Sequence, residues 1–163
     1  RELTPEAIEG LNLLMKSGVS LVNQTPLVQG VNDDPEVLAD LFSKLSFIGV
    51  PPYYVFLCRP TLGNETYSVP VERGYEIFEK SRTLCSGLAK RARLVMSHES
   101  GKIEVVGMTE EQIFFKYTRS AEKENNARFM AFYRDPKACW FDDYKEALDE
   151  FSLFSETTKI GCL

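Results

Sequence analysis

Along the first half of the chain, apolar residues recur every three to four positions, then switch to short unbroken apolar runs, and the switch repeats. Thr4-Pro5-Glu6 opens a first helix. Thr offers an oxygen to the free amides, Pro suits the first helical position, and Glu sits at the positive end of the dipole. Ile8, Leu11, Leu14 and Met15 fall on one face, and Gly18 ends the helix. Val19 to Thr25 follows as a strand. Asp34-Pro35-Glu36 opens a second helix with Val37, Leu38, Leu41, Phe42 and Leu45 inward, closed by Gly49. Pro51 and Pro52 lead into a strand from Tyr53 to Leu57, and a third helix is expected from about Pro70 to Arg82 with Val71, Tyr75 and Phe78 inward.

Helices alternating with short, nearly all-apolar strands predict βα units on a parallel sheet. The fold class is α/β. Residues 1–89 read as part of a parallel (β/α) barrel, and residues 90–163 as a mainly antiparallel β extension. Its strands are Arg91 to Ser97, Lys102 to Val106, Gln112 to Thr118 and Ala127 to Arg134. Asp142 to Phe151, with Tyr144, Leu148 and Phe151 on one face, is expected as a C-terminal amphipathic helix. Two or three βα units cannot close an eight-stranded barrel. The expected partner is therefore a missing N-terminal half of the barrel, and an open sheet edge also favours a homo-oligomer.

Composition narrows the function classes. The 163 residues make about one domain, 44% of them hydrophobic. Nineteen Lys plus Arg against 24 Asp plus Glu give a net charge of -5 with no cationic cluster, which argues against nucleic acid. No apolar run approaches the roughly 20 residues that cross a bilayer, so no membrane partner and a cytoplasmic location are expected. Cys58, Cys85, Cys139 and Cys162 are too dispersed for a zinc or redox motif and read as reduced thiols. The single His98 leaves little room for triads or most zinc hydrolases. The aromatic residues Phe114, Phe115, Phe129, Phe132, Tyr133, Trp140 and Phe141 suit the core of the meander or an interface.

In parallel α/β architecture ligands bind beyond the carboxyl ends of the strands. That points to Asn23, Gln24 and Thr25 after one strand and to Cys58 and Arg59 after the next. The plainer alternative is that Asn23 and Gln24 satisfy loop backbone groups and that Arg59 is a solvated cation or pairs with Glu65. Ser100-Gly101-Lys102 is a hairpin turn that can hold a phosphate or present an amine.

The run Asn23-Gln24-Thr25-Pro26-Leu27-Val28-Gln29-Gly30-Val31-Asn32-Asp33-Asp34, followed by Pro52-Tyr53-Tyr54, Leu62-Gly63, Val69-Pro70-Val71, Gly74 and Ser86-Gly87, resembles the C-terminal half of lysine 2,3-aminomutase. The likeness runs from Arg1 to about Ser97. It implies a radical S-adenosylmethionine (SAM) isomerase that uses a [4Fe-4S] cluster and pyridoxal phosphate (PLP) to move an amino group between carbons 2 and 3. The cluster-binding CxxxCxxC loop is absent from this chain, so its cluster ligands are expected elsewhere and the isolated chain is expected to be inactive. By the same resemblance Gln24 contacts SAM, Lys102 is the lysine that bonds to PLP, Ser97 and Gly101 flank that cofactor, and Arg59 and Met96 occupy substrate-binding positions.

Departures from the family pattern refine this. The glycine run before the PLP lysine is replaced by Ser97-His98-Glu99-Ser100-Gly101, and Glu99 repels a phosphate. Two aspartates that hold the ammonium of lysine correspond to Arg59 and Met96. A cation there repels lysine and suits a carboxylate, so a glutamate-like substrate is expected in its place. The competing reading is a non-catalytic or PLP-independent module of a radical SAM protein.

Overall fold

The computed structural model describes residues 3–145 and the backbone of 147–151. Among the described residues seven strands form one sheet in sequence order: β1 (Asn23–Leu27), β2 (Pro52–Leu57), β3 (Arg93–His98), β4 (Gly101–Met108), β5 (Gln112–Ser120), β6 (Phe129–Tyr133) and β7 (Ala147–Phe151). Pairs β1·β2 and β2·β3 are parallel, and every pairing from β3 to β7 is antiparallel. Three helices, α1 (Pro5–Lys16), α2 (Pro35–Phe47) and α3 (Val71–Thr83), fill the crossovers and the N-terminus. The chain is thus α/β with a mixed sheet. That sheet is open among the described residues, with β1 and β7 at its edges.

The local reasons for the helices match their chemistry. The Thr4 hydroxyl accepts the Ala7 amide at 3.2 Å, and the Asp34 carboxylate accepts those of Glu36 and Val37 at 2.9 and 3.1 Å. Helix α2 buries Leu38, Ala39, Phe42 and Leu45, while Val37, expected inward, is half exposed. Helix α3 approaches the sheet so closely that a Cβ on Gly74 would lie 2.8 Å from Leu57 Cδ2. Among the described residues helix α1 buries none of its own, and Leu13 and Leu14 stay exposed.

Alternation along the strands separates two faces. Leu27, Val55, Leu57, Leu94, Met96, Ile103, Val105, Ile113 and Phe115 point to one core with α2, α3 and the segment around Trp140 and Tyr144. The opposite face, here the open face, carries Gln24, Tyr54, Phe56, Arg93, Val95, Ser97, Lys102 and Glu104 in register.

Two expectations are corrected. The C-terminal helix is not formed: Phe141–Asp143 is a single 3-10 turn and Ala147–Phe151 is a strand antiparallel to β6. Pairing with the backbone groups of β6 outweighs helical periodicity there. The first strand starts at Asn23, where the expected one nearly ends, because parallel pairing begins opposite Pro52 and leaves Val19 and Val22 exposed. Asn23, Gln24 and Thr25 are therefore the first three of the five residues of β1, not residues beyond it.

Candidate functional site

Lys102 is the second residue of β4 and faces the open side of the sheet. Its position there follows from a tight β3–β4 turn, in which Gly101 at φ +143 pairs with both His98 and Ser120. A Cβ on Gly101 would lie 2.2 Å from the Arg119 carbonyl oxygen, so the missing side chain makes room for β5 and not for a ligand. The Lys102 Nζ sits 4.1 Å from the centroid of Tyr54 and 5.2 Å from that of Phe56. Both ring faces attract an ammonium. The Tyr54 hydroxyl is pushed up to about 12, first by burial and then by its bond to the Tyr53 hydroxyl, so it stays protonated.

A cavity of about 410 Å³ opens beside this amine, lined by Ser97, His98, Gly101, Lys102, Arg119, Ser120 and Ala121. It combines an amine, a guanidinium and the Ser97 hydroxyl, a donor set suited to an anionic group next to a carbonyl, while the Ser120 hydroxyl already donates to the Ser100 carbonyl at 3.2 Å. Further along the open face, Glu104 lies 3.7 Å from Arg93, and burial raises its carboxyl above the ordinary range while Arg93 and Lys116 partly oppose that.

Other expected residues are dispersed. Gln24 is exposed on the open face and makes no side-chain hydrogen bond among the described residues, so its amide is available to a hydroxyl-bearing ligand. Asn23 accepts from the Thr25 hydroxyl at 2.6 Å, a contact between side chains and not with the loop backbone. Arg59 follows β2 in an exposed loop held by Asn64, whose amide donates to the Arg59 carbonyl at 2.7 Å. Among the described residues it forms no ion pair, with Glu65 or otherwise, and it does not line the Lys102 cavity. Met96 is fully buried in the core on the helix side. It points away from the face that carries Lys102, so it cannot contact a ligand held there.

The described cysteines are free. Burial raises the Cys58 and Cys139 thiols, which keeps them poor ligands and nucleophiles, and Cys162 lies outside the described residues. Among the described residues no group of three His, Cys, Asp or Glu side chains gathers as metal ligands. No helix among them is long and apolar enough to cross a membrane.

Two features escape reading by residue type. The aromatic platform under Lys102 depends on the β2–β3–β4 register, for which the alternation of Tyr54 and Phe56 was the one available signal. A hydrogen-bonded chain from Asp142 through His98 and Ser100 to Tyr117 has no local signal, since Asp142 and His98 are 44 positions apart.

No protein-family model matches the chain. An Aquifex aeolicus protein provisionally named L-lysine 2,3-aminomutase is 56% identical over 151 residues, which is 93% of this chain and 40% of that protein. The chain belongs to the lysine 2,3-aminomutase family. It is similar to the C-terminal portion of these proteins and spans well under half of their length. L-lysine 2,3-aminomutase of Clostridium subterminale is 43% identical over 86 residues, 53% of this chain and 21% of the relative. Glutamate 2,3-aminomutase of Clostridioides difficile is 35% identical over 100 residues, 61% of this chain and 24% of the relative. The aminomutase family thus includes members named for a cationic and for an acidic substrate.

Proposed function

We propose that this chain is the C-terminal part of a radical SAM 2,3-aminomutase acting on an amino acid with an acidic side chain, and that Lys102 carries its PLP. The observation behind this reading is the placement of the Lys102 amine, at the rim of a cavity with Ser97 and Arg119 and above the rings of Tyr54 and Phe56. The residues fit the cofactor. Ser97 and Arg119 offer donors to a phosphate, the two rings offer an apolar surface to a pyridine, and Lys102 offers the amine. Bound PLP supplies a carbonyl that takes up an amino group and lets it change carbons.

The chain's own residues do the rest. Tyr54 and Phe56 hold the Lys102 side chain on the open face, and the β4–β5 pairing at Gly101 fixes the backbone from which it projects. Gln24 presents an amide to the hydroxyls of SAM on the same face. Arg59, beyond the carboxyl end of β2, holds the distal carboxylate of the substrate through its two parallel N–H groups. In this reading the open face of β1 to β4 lines the interior of a (β/α) barrel completed by sequence outside this chain. Cluster ligands also lie outside it, and no step is assigned to a metal held here.

A second reading, a PLP-independent module, is favoured by two observations: the space at Gly101 is filled by β5, and the exposed Glu99 adds negative charge to the same turn. One experiment separates the two. Full-length protein, reconstituted anaerobically, is supplied with lysine or glutamate and its products are separated. Conversion of glutamate to its 3-amino isomer, lost in Lys102→Ala, supports the proposal. Turnover of neither amino acid, with no PLP retained after dialysis, overturns it.

A further inference from the structure

The β3–β4 turn that carries Lys102 is tied to a distant part of the chain through one imidazole. His98 ends β3 on the helix side of the sheet, its side chain only 8% exposed, with Phe141 at 5.5 Å and Trp140 at 6.2 Å between ring centroids. Its Nδ1 accepts the Ser100 backbone N–H at 3.1 Å and lies 2.6 Å from the Ser100 hydroxyl. Accepting a backbone amide requires an unprotonated Nδ1, so the ring proton is on Nε2. That proton faces the Asp142 carboxylate, whose oxygens lie 2.9 and 3.1 Å away. The network thereby selects one tautomer and one ring orientation. Ser100 continues it: its hydroxyl lies 2.7 Å from the Tyr117 hydroxyl, and its carbonyl accepts from Ala121 N at 2.9 Å and Ser120 Oγ at 3.2 Å. Asp143, next to Asp142, accepts the Cys139 and Trp140 amides at 2.9 and 3.0 Å and so makes the anchor itself rigid.

We propose that His98 is a positioning residue for Lys102: held by Asp142, it fixes Ser100 and hence the two-residue turn whose geometry aims the Lys102 amine across Tyr54 and Phe56 on the other face of the sheet. The functional consequence rests on the reading of Lys102 as the amine that takes PLP. The structural claim does not. His98 lines the edge of the Lys102 cavity but acts through the turn, because its ring nitrogens are both engaged on the helix side.

The test uses full-length protein and two readouts. PLP is added, the bond is fixed with borohydride, and the pyridoxyl label on Lys102 is followed over time by peptide mass spectrometry. Hydrogen exchange at the Ser100 amide is measured without PLP. His98→Ala should slow labelling by about tenfold and speed Ser100 exchange by a similar factor, since an amide loses its acceptor. His98→Asn retains an acceptor near the Nδ1 position and should restore both to within about threefold. A folded His98→Ala protein that labels and exchanges like the unmodified one overturns the proposal, as does a His98→Asn protein indistinguishable from His98→Ala. Absence of any Lys102 label in unmodified protein overturns the PLP reading instead, and the Ser100 exchange rate then decides the role of His98 alone.

Discussion

Replacing Gly101 with alanine probes the junction on which the Lys102 site depends. The new methyl would lie 2.2 Å from the Arg119 carbonyl oxygen and 2.7 Å from Ser120 Cα, both backbone atoms of β5. Carbon–oxygen contacts ordinarily sit at about 3.3 Å or more, so relief needs a shift of roughly 1 Å in a hydrogen-bonded ladder. A side chain at φ +143 adds about 1–3 kcal/mol of backbone strain. One or two weakened ladder bonds at about 1 kcal/mol each bring the expected loss to roughly 2–5 kcal/mol. For a chain of this size that corresponds to a fall in Tm of roughly 4–20 °C. Gly18 is the control: it also has a positive φ, +88, but nothing within 4 Å, so Gly18→Ala carries the strain without the collision. Urea titration of the two variants gives the comparison. If Gly101→Ala costs no more than Gly18→Ala, the close approach of β4 and β5 is not what demands glycine at position 101.

Further outcomes follow from single features. Arg134 donates through Nε to the Glu72 carboxylate at 2.9 Å, and Glu72 is only 3% exposed, so Arg134→Met should cost about 3–5 kcal/mol in denaturant titration by stranding a buried charge. Adding Glu72→Gln should recover most of that, and no recovery would mean that the arginine acts through packing. Burial raises Glu104 in the folded state, so the folded chain holds this proton more tightly than the unfolded chain, and its contribution to stability is fully present below the unfolded pKa and lost as pH rises through the raised one. Glu104→Gln should therefore gain on unmodified protein as pH rises through the carboxylate range, as read from urea midpoints at several pH values. In the full-length enzyme, Arg59→Asp should weaken a glutamate-like substrate by about one to two orders of magnitude in kcat/KM, and unchanged kinetics would leave Arg59 a surface residue.

Much of the helical architecture could be read from the chain because it is written locally. Asp34 and Thr4 cap as their positions demand, and Leu38, Phe42, Val71 and Phe78 are buried where periodicity puts them. Strand limits were less legible, since an apolar run such as Val19 to Val22 states a preference for extension but not where a partner begins. The end of the chain misled for a related reason: a stretch with helical periodicity met an unpaired β6 edge. At the candidate site, the amine of Lys102 was visible in the sequence, whereas the rings beneath it and the imidazole behind it depend on pairing between strands. Met96 shows the cost of ignoring parity, for it lies one residue from Ser97 and therefore on the opposite face.

The change of pairing sense at β3 has a consequence for how the chain reaches this structure. Strands β3 to β6 close through short turns at residues 99–100, 109–111 and 121–128, so their contacts cost little loop entropy. The parallel pairs β1·β2 and β2·β3 must first fold back residues 28–51 and 58–92, each with its own helix. Nucleation therefore favours the meander, and β3, its first strand, becomes the template on which β2 and then β1 are laid. On loop entropy alone the Lys102 turn is expected early, and the face presented by Gln24 last.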